Sequence, residues 1–243
     1  MMPRLPLPRL VWSAALLLAL PVSCPALANP VPLETDYRFE IRRDGSPVGD
    51  HRVTLRPTAT GLTAEAMSRI TVRLLGIPVY RFEYQSTSQW TDGRMVALDS
   101  RSNDDGTITT VTARADGDRL RVSAAGGEGG GGDTGGGPVV APLGLFPTDH
   151  WHSGVIGADA VLNTITGDIN RVTMTAQGRE TVPTGFGPRL STRYVYDGDL
   201  RATVWYDDRG LWTGLRFAAR DGSTIDYVCQ RCGSSPTVAE RAP

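Results

Sequence analysis

Tyr80-Arg81-Phe82-Glu83-Tyr84-Gln85 alternates aromatic and polar residues without a break. Successive side chains of a β-strand point to opposite faces, so this stretch reads as a strand with one buried and one wet face. The same alternation spreads outward from it. Tyr37, Phe39 and Ile41 alternate with charged residues, and just upstream Ile70, Val72 and Leu74 alternate with Thr71 and Arg73. Leu120 and Val122 alternate with Arg119 and Arg121, while Leu190, Thr192, Tyr194 and Tyr196 share a face, as do Leu215 and Phe217.

Asp-Gly pairs punctuate these runs at Asp44-Gly45, Asp92-Gly93, Asp105-Gly106, Asp116-Gly117, Asp197-Gly198 and Asp221-Gly222, with Asp208-Arg209-Gly210 as a variant. Asp-Gly suits the positive φ angles of tight hairpin turns. Strand, turn and strand repeated predicts an antiparallel meander, whereas a parallel α/β fold needs helical crossovers, and none is visible. The expected fold is all-β: an antiparallel meander of about ten strands forming a curved sheet, half-barrel or open barrel. At most one or two short helices are expected, one of them around 158–163.

Residues 1–28 read as a cleaved signal peptide. Arg4 and Arg9 precede a short apolar run, Pro21 ends it, and Ala26-Leu27-Ala28 supplies the small residues of a cleavage site. The apolar run is too short for a membrane-spanning helix and no later one is longer, so no transmembrane segment is expected. Lipid anchoring at Cys24 is disfavoured, because Pro21 and Pro25 flank it where a lipoprotein signal wants other residues. The expected location is therefore outside the cytoplasm, in the periplasm of a Gram-negative bacterium. The remainder, 29–243, reads as a single β-rich domain. Within it, 124–138 is expected to be a flexible Gly-rich loop and 233–243 a short irregular tail.

All 25 basic residues are Arg, against 26 acidic ones. Without the leader the formal charge is −3, since 23 Arg face the same 26 acids. The arginines are scattered, so no basic patch for neutralising phosphates is present and no nucleic-acid partner is expected. The Gly-rich stretch is followed by Pro138-Val139-Val140 rather than by a helix, which excludes a phosphate-cradling loop.

Three groups of residues are candidates for chemistry or binding. His150 and His152 flank Trp151; on a strand they would share a face, yet two histidines alone do not fill a metal site. Cys229 and Cys232 are the two cysteines left after the leader and are expected to form a disulfide in an oxidising compartment. So small a ring adds little to global stability by loop closure. The alternative is a zinc site of His150, His152, Cys229 and Cys232, or a hydrolytic centre built on them. The third group is aromatic. Trp90, Trp151, Trp205 and Trp212, with Tyr80, Phe82, Tyr84, Tyr194 and Tyr196, fit either a sheet core or an apolar cavity. Of these, Tyr80, Phe82, Tyr84, Trp90, Trp151 and Trp205 are the expected ligand-binding set. There is no G-x-S-x-G motif and no carboxylate pair suited to glycoside cleavage, so no catalytic residue is assigned.

Several segments in this order carry a resemblance. They are Leu75-Gly76-Ile77-Pro78-Val79-Tyr80-Arg81-Phe82, the run from Trp90 to Ser100 with the Asn103-Asp104-Asp105-Gly106 turn, His150-Trp151, Leu162 to Gly167, and Val204-Trp205-Tyr206-Asp207. On these the chain resembles DUF6134, a family of exported bacterial proteins of unknown function, over nearly all of its length past the leader. The resemblance implies no catalytic residues. The family pattern often has Asn where His152 stands, which weakens a paired-His metal site. The leading expectation is a non-enzymatic envelope protein that needs no cofactor and binds an apolar or amphipathic, lipid-like small molecule. A structural envelope protein acting through its sheet edges is the other alternative.

Overall fold

The alternating runs pair with their neighbours in chain order. In the computed structural model, which describes residues 35–127 and 138–234, a first meander runs through eight strands. They are β1 (Thr35–Arg43), β2 (Ser46–Thr58), β3 (Gly61–Leu74), β4 (Ile77–Thr91), β5 (Arg94–Asp104), β6 (Thr107–Asp116), β7 (Arg119–Gly126) and β8 (Val139–Pro142). A crossing segment, 143–168, follows. It contains β9 (Phe146–Pro147), a 3-10 turn at Ser153–Val155 and β10 (Ala160–Leu162). A second meander then runs through β11 (Ile169–Val182), β12 (Arg189–Gly198), β13 (Ala202–Tyr206), β14 (Trp212–Ala218) and β15 (Thr224–Ser234).

All fifteen strands form one open, curved sheet in the order β8-β7-β6-β5-β4-β3-β2-β1-β15-β14-β13-β12-β11-β10-β9. The first and last long strands, β1 and β15, pair antiparallel and weld the two meanders at the centre of the sheet. The free edges are β8 and β9, both short and both ending in proline. Short, proline-bearing edges resist pairing with other chains. Among the described residues no helix is long and apolar enough to cross a membrane.

The expected all-β curved sheet is present, with more strands than the sequence revealed. The strands that were missed, such as β11 (Ile169–Val182), mix small and polar residues on both faces and show no clean alternation. The helix expected around 158–163 is instead β10, with a 3-10 turn before it at Ser153–Val155. Ala124 to Gly126, expected to be loop, continue β7 opposite Val111 to Thr109. Gly233 and Ser234, expected to be tail, end β15. The leader with Cys24, and the remainder of the Gly-rich stretch and tail, lie outside the described residues.

Cross-strand register arranges the inner face in rows. One row runs Phe39–His51–Ser68–Tyr84–Ser102 across β1 to β5. The next runs Val53–Ala66–Ser86–Ser100–Val111, and a third Leu55–Ala64–Ser88–Leu98–Ala113. The inner positions of β3 to β5 are thus mostly Ala and Ser. Small side chains leave room for another layer, and the crossing segment fills it. Tyr84 Oη donates to Thr164 Oγ1 at 2.7 Å, and Ser100 Oγ donates to the Thr164 carbonyl at 2.6 Å. From the other meander Tyr206 Oη donates to the His150 carbonyl at 2.8 Å. Gly167 passes so close to β7 that a Cβ there would lie 2.7 Å from Ala124 Cβ. The core between the layers includes Leu98, Val111, Leu120, Val122, Val161 and Leu162, all fully buried or nearly so. Burying each such side chain stabilises the fold by roughly 1.5–3 kcal/mol.

Cys229 and Cys232 are joined by a disulfide. Residues three apart on a regular strand point to opposite faces. Here Tyr37 faces Cys232 and Phe39 faces Cys229, so β15 uses one residue more than β1 over this stretch. The extra residue is a β-bulge, which brings both sulfurs to the inner face. Cys229 is fully buried and Cys232 nearly so. Their loss therefore removes core contacts, a larger effect than the loop-closure estimate from sequence. The double substitution C229S/C232S is expected to lower stability by ~1–3 kcal/mol for each hydroxyl left buried without a partner, and C229A/C232A by less. Urea denaturation of both variants checks this; equal, negligible losses would show that the sulfurs add nothing to the core.

Candidate functional site: an interior cavity at the crossing segment

The inner rows and the crossing segment do not meet everywhere. Between them lies a cavity of about 500 Å³, within the ~300–1,000 Å³ typical of small-molecule pockets. Its apolar wall includes Phe82 from β4, Trp212, Leu215 and Phe217 from β14, and Tyr227 from β15. Its polar wall joins His51 and Ser68 from β2 and β3 to Thr148, Asp149, His150 and Thr164 of the crossing segment. Asp199, Leu200 and Arg201, in the turn between β12 and β13, complete one end.

The chain reaches this geometry through a strained turn. The Trp151 amide donates to the Asp149 carbonyl at 2.8 Å, and His150 between them has φ of 57°. That is a left-handed γ-turn, a rare and costly conformation. The other non-glycine residues with positive φ among those described are Asp44, Leu75, Asp92 and Asp105, each at the first position of a two-residue hairpin turn. His150 alone lies outside a hairpin. Strain of this kind persists where surrounding contacts enforce it, and it concentrates at functional sites. The turn sends the Asp149 and His150 side chains to the cavity and Trp151 to the core.

Two imidazoles face the cavity from opposite walls. His51 Nδ1 is hydrogen-bonded to Ser68 Oγ at 2.6 Å, and the Tyr227 hydroxyl also meets Ser68. His51 Nε2 and His150 Nδ1 are buried without a hydrogen-bond partner in the structure. Trp212 stands between the rings, 5.5 Å from His51 and 5.8 Å from His150. Burial pushes His51 down to about 3, with the nearby His150 adding to the effect, and burial alone pushes His150 down to about 4. Both rings are neutral at neutral pH. Burial pushes the Asp149 carboxyl up to about 7. Its own backbone amide opposes this, as does the Trp151 indole, which lies close without forming a well-shaped hydrogen bond. Tyr84 and Tyr206 are pushed further above the usual phenol range by burial and stay protonated.

The residues anticipated from sequence separate into several places. Phe82 and Tyr84 line the cavity. Tyr80 continues their face to the rim of the sheet, where its hydroxyl meets Asp104. Trp90 and Trp151 pack edge to face 5.1 Å apart, in the core away from the cavity. Trp205 lies on the outer face, its indole donating to Glu180 at 2.6 Å with Arg216 over the ring. His152 points away from His150: it stacks on Trp90 at 5.1 Å and accepts from the Gly154 amide. With the cysteines in a disulfide, the set of His150, His152, Cys229 and Cys232 is not assembled as a metal site. Among the described residues no three His, Cys, Asp or Glu side chains are grouped to hold a metal ion. His51, Ser68 and Asp149 were not anticipated. A signal for them existed in the small residues at alternate positions of β3 to β5, which mark where another layer must pack.

Fold and site together define a β-barrel-like protein: one open curved sheet with a segment laid across its inside and a cavity beside it. The family model for a domain of unknown function, DUF6134, matches residues 39–230, and the chain belongs to that family. No curated protein matches the sequence. Among solved structures the chain is similar to the crystal structure of a beta-barrel-like protein of domain of unknown function DUF1849 from Brucella abortus. The TM-score is 0.52 at 12% sequence identity, covering 84% of this chain and 99% of that one. At that identity the likeness concerns the fold alone.

Burial of these groups sets a pH signature. Between about 4 and 7 the folded chain keeps a proton on Asp149 that the unfolded chain releases, so this group makes stability fall as pH rises. The histidines act oppositely: below 6.5 the unfolded chain takes up protons that folded His51 and His150 refuse, so stability falls as pH drops. Asp149→Asn removes only the first effect. Its stability relative to the parent is expected to grow by up to ~1.4 kcal/mol per pH unit across the Asp149 window. Urea unfolding of both proteins on the acid and alkaline sides of that window reads the difference; a difference independent of pH would place Asp149 in water.

Proposed function

We propose that this is an envelope protein that binds an apolar or amphipathic, lipid-like small molecule without transforming it. In this reading the aromatic and aliphatic wall from Phe82 to Phe217 takes the apolar body, and His51, Asp149 and His150 take the polar end. The observation that carries the reading is the pair of buried, unpartnered nitrogens, His51 Nε2 and His150 Nδ1, facing a cavity whose other wall is aromatic and aliphatic. A buried polar atom without a partner costs about 1–3 kcal/mol, and a ligand group that hydrogen-bonds to it offsets that cost. A periplasmic location is part of the proposal and is supported by the export-signal pattern of the leader.

One observation favours a second reading, an acid–base catalyst. A carboxyl titrating near neutrality beside a strained histidine has the properties of a proton-transfer group. The two readings part at turnover: a binder returns its ligand unchanged, while a catalyst converts it and loses that conversion in Asp149→Asn.

Native mass spectrometry of the purified protein tests the leading reading. A co-purifying mass of lipid size is expected. Ala202 lines the cavity, and Ala202→Phe is expected to fill it, removing that mass and weakening binding of a fluorescent fatty-acid probe by ~10-fold or more. Probe binding unchanged by Ala202→Phe would move the ligand out of the cavity.

A further inference from the structure

We propose that the tip of the β3–β4 hairpin docks on a membrane surface carrying anionic phospholipid. Four hairpins turn on two residues that both have positive φ: Asp44-Gly45, Asp92-Gly93, Asp105-Gly106 and Leu75-Gly76. Asp tolerates the left-handed region because its short side chain bonds locally, and Leu does not. Leu75 nevertheless holds φ of 51° and is 95% exposed. It adds nothing to the core and weakens its own turn, so its presence calls for another explanation.

The neighbours extend the patch. Leu74 is 65%, Ile77 67% and Val79 51% exposed. Contiguous exposed apolar side chains mark an interaction surface. The tip also overhangs the sheet. Pairing of β3 with β2 ends at Ile70 opposite Gly49, and pairing of β4 with β5 ends at Phe82 opposite Asp104. The hairpin itself continues to Leu74 opposite Ile77. The overhang is on the β5 side, where at ~3.3 Å per residue it is on the order of 13 Å; on the other side the β1–β2 hairpin runs alongside, with Arg43 to Val48 facing Thr71 to Arg73 across a cleft.

Charge selects the occupant. Arg73 and Arg81 flank the apolar tip. Arg73 donates to the Gly76 carbonyl, and among the described residues neither arginine has a carboxylate partner, although ion pairs are common elsewhere on this surface. Of the carboxylates at this end of the sheet, Asp104 is engaged by Arg220 and Tyr80, Asp44 accepts from the Thr224 amide, and Asp105 follows Asp104 with its amide on the Arg81 carbonyl. An apolar tip within a cationic collar matches an anionic lipid interface. A second copy of the chain fits less well, because four side chains fall short of the ~800 Å² per partner of a stable protein interface. The tip lies at the same end of the sheet as Phe82, Leu200 and Phe217 of the cavity wall. The docking inference rests on the hairpin alone and stands whether or not the cavity holds a lipid.

Leu75→Asp gives a sharp test, because it restores the residue found in the three sibling turns. The variant is expected to be at least as stable as the parent to heat, so lost binding cannot be ascribed to misfolding. The whole protein is sedimented with vesicles of phosphatidylcholine alone and of phosphatidylcholine mixed with phosphatidylglycerol. The parent is expected to bind the mixed vesicles more tightly, and less so as salt is raised. Leu75→Asp should weaken that binding ~10-fold or more, and R73Q/R81Q should remove the preference for anionic vesicles. Absent binding by the parent, or equal binding by Leu75→Asp, overturns the proposal. A dimer of the parent that Leu75→Asp splits into monomers also overturns it and assigns the tip to a second copy.

Discussion

A curved sheet of fifteen strands has one face that water must not reach, and among the described residues no α-helix covers it. The chain covers it with itself, and the hydrogen bonds to Thr164 and His150 are what hold the cover in place. Tyr84 and Ser100 grip Thr164 from the first meander, while Tyr206 grips the His150 carbonyl from the second. A backbone segment laid against an apolar interior must have its polar groups satisfied, and these side chains supply partners. Nearly everything else about the interior follows. The segment is tied at two points to opposite walls, one tie falls at the left-handed γ-turn centred on His150, and the gap beside that turn is the cavity.

The same constraint explains the electrostatics. Asp149 and His150 are buried because the turn that carries them is enclosed, and His51 because it faces them across the gap. In such surroundings the neutral form of each group is favoured. The cavity therefore presents hydrogen-bonding groups with little fixed charge, which suits an uncharged or weakly ionised polar end on an apolar ligand. Fixed charge lies outside, at Arg201 and Asp199 on the rim and at Arg73 and Arg81 on the overhanging hairpin. This division fits a protein that meets a charged surface with its exterior and an apolar molecule with its interior.

The strands were legible in the sequence wherever one face is wet, because Tyr37-Arg38-Phe39 or Tyr80-Arg81-Phe82 can be read with no knowledge of neighbours. Strands within the crossing segment or carrying polar residues on both faces, such as β10 and β11, lose that alternation. Pairing of the first strand with the last, which turns two meanders into one sheet, leaves no local mark at all. The site was legible only in part. Phe82 and Tyr84 were found because they are aromatic, and Trp90, Trp151 and Trp205 were chosen with them for the same reason. Aromatic character says which side chains are large and nothing about which side of the sheet or which end of the core they occupy. His51 and Asp149 meet through register and through the crossing segment, both long-range properties. The pairing of Cys229 with Cys232 was legible from arithmetic, but the bulge that turns both sulfurs inward was not.

The most direct test of this account is an NMR titration of the histidine side chains, with His51 and His150 assigned by single substitution. If the crossing segment seals the inner face as described, both rings remain neutral as pH falls well below the ordinary imidazole value of ~6.5, charging only near about 3 and about 4. Both rings titrating near ~6.5 would show that water reaches them freely, and would contradict the burial of the two histidines on which the functional proposal rests.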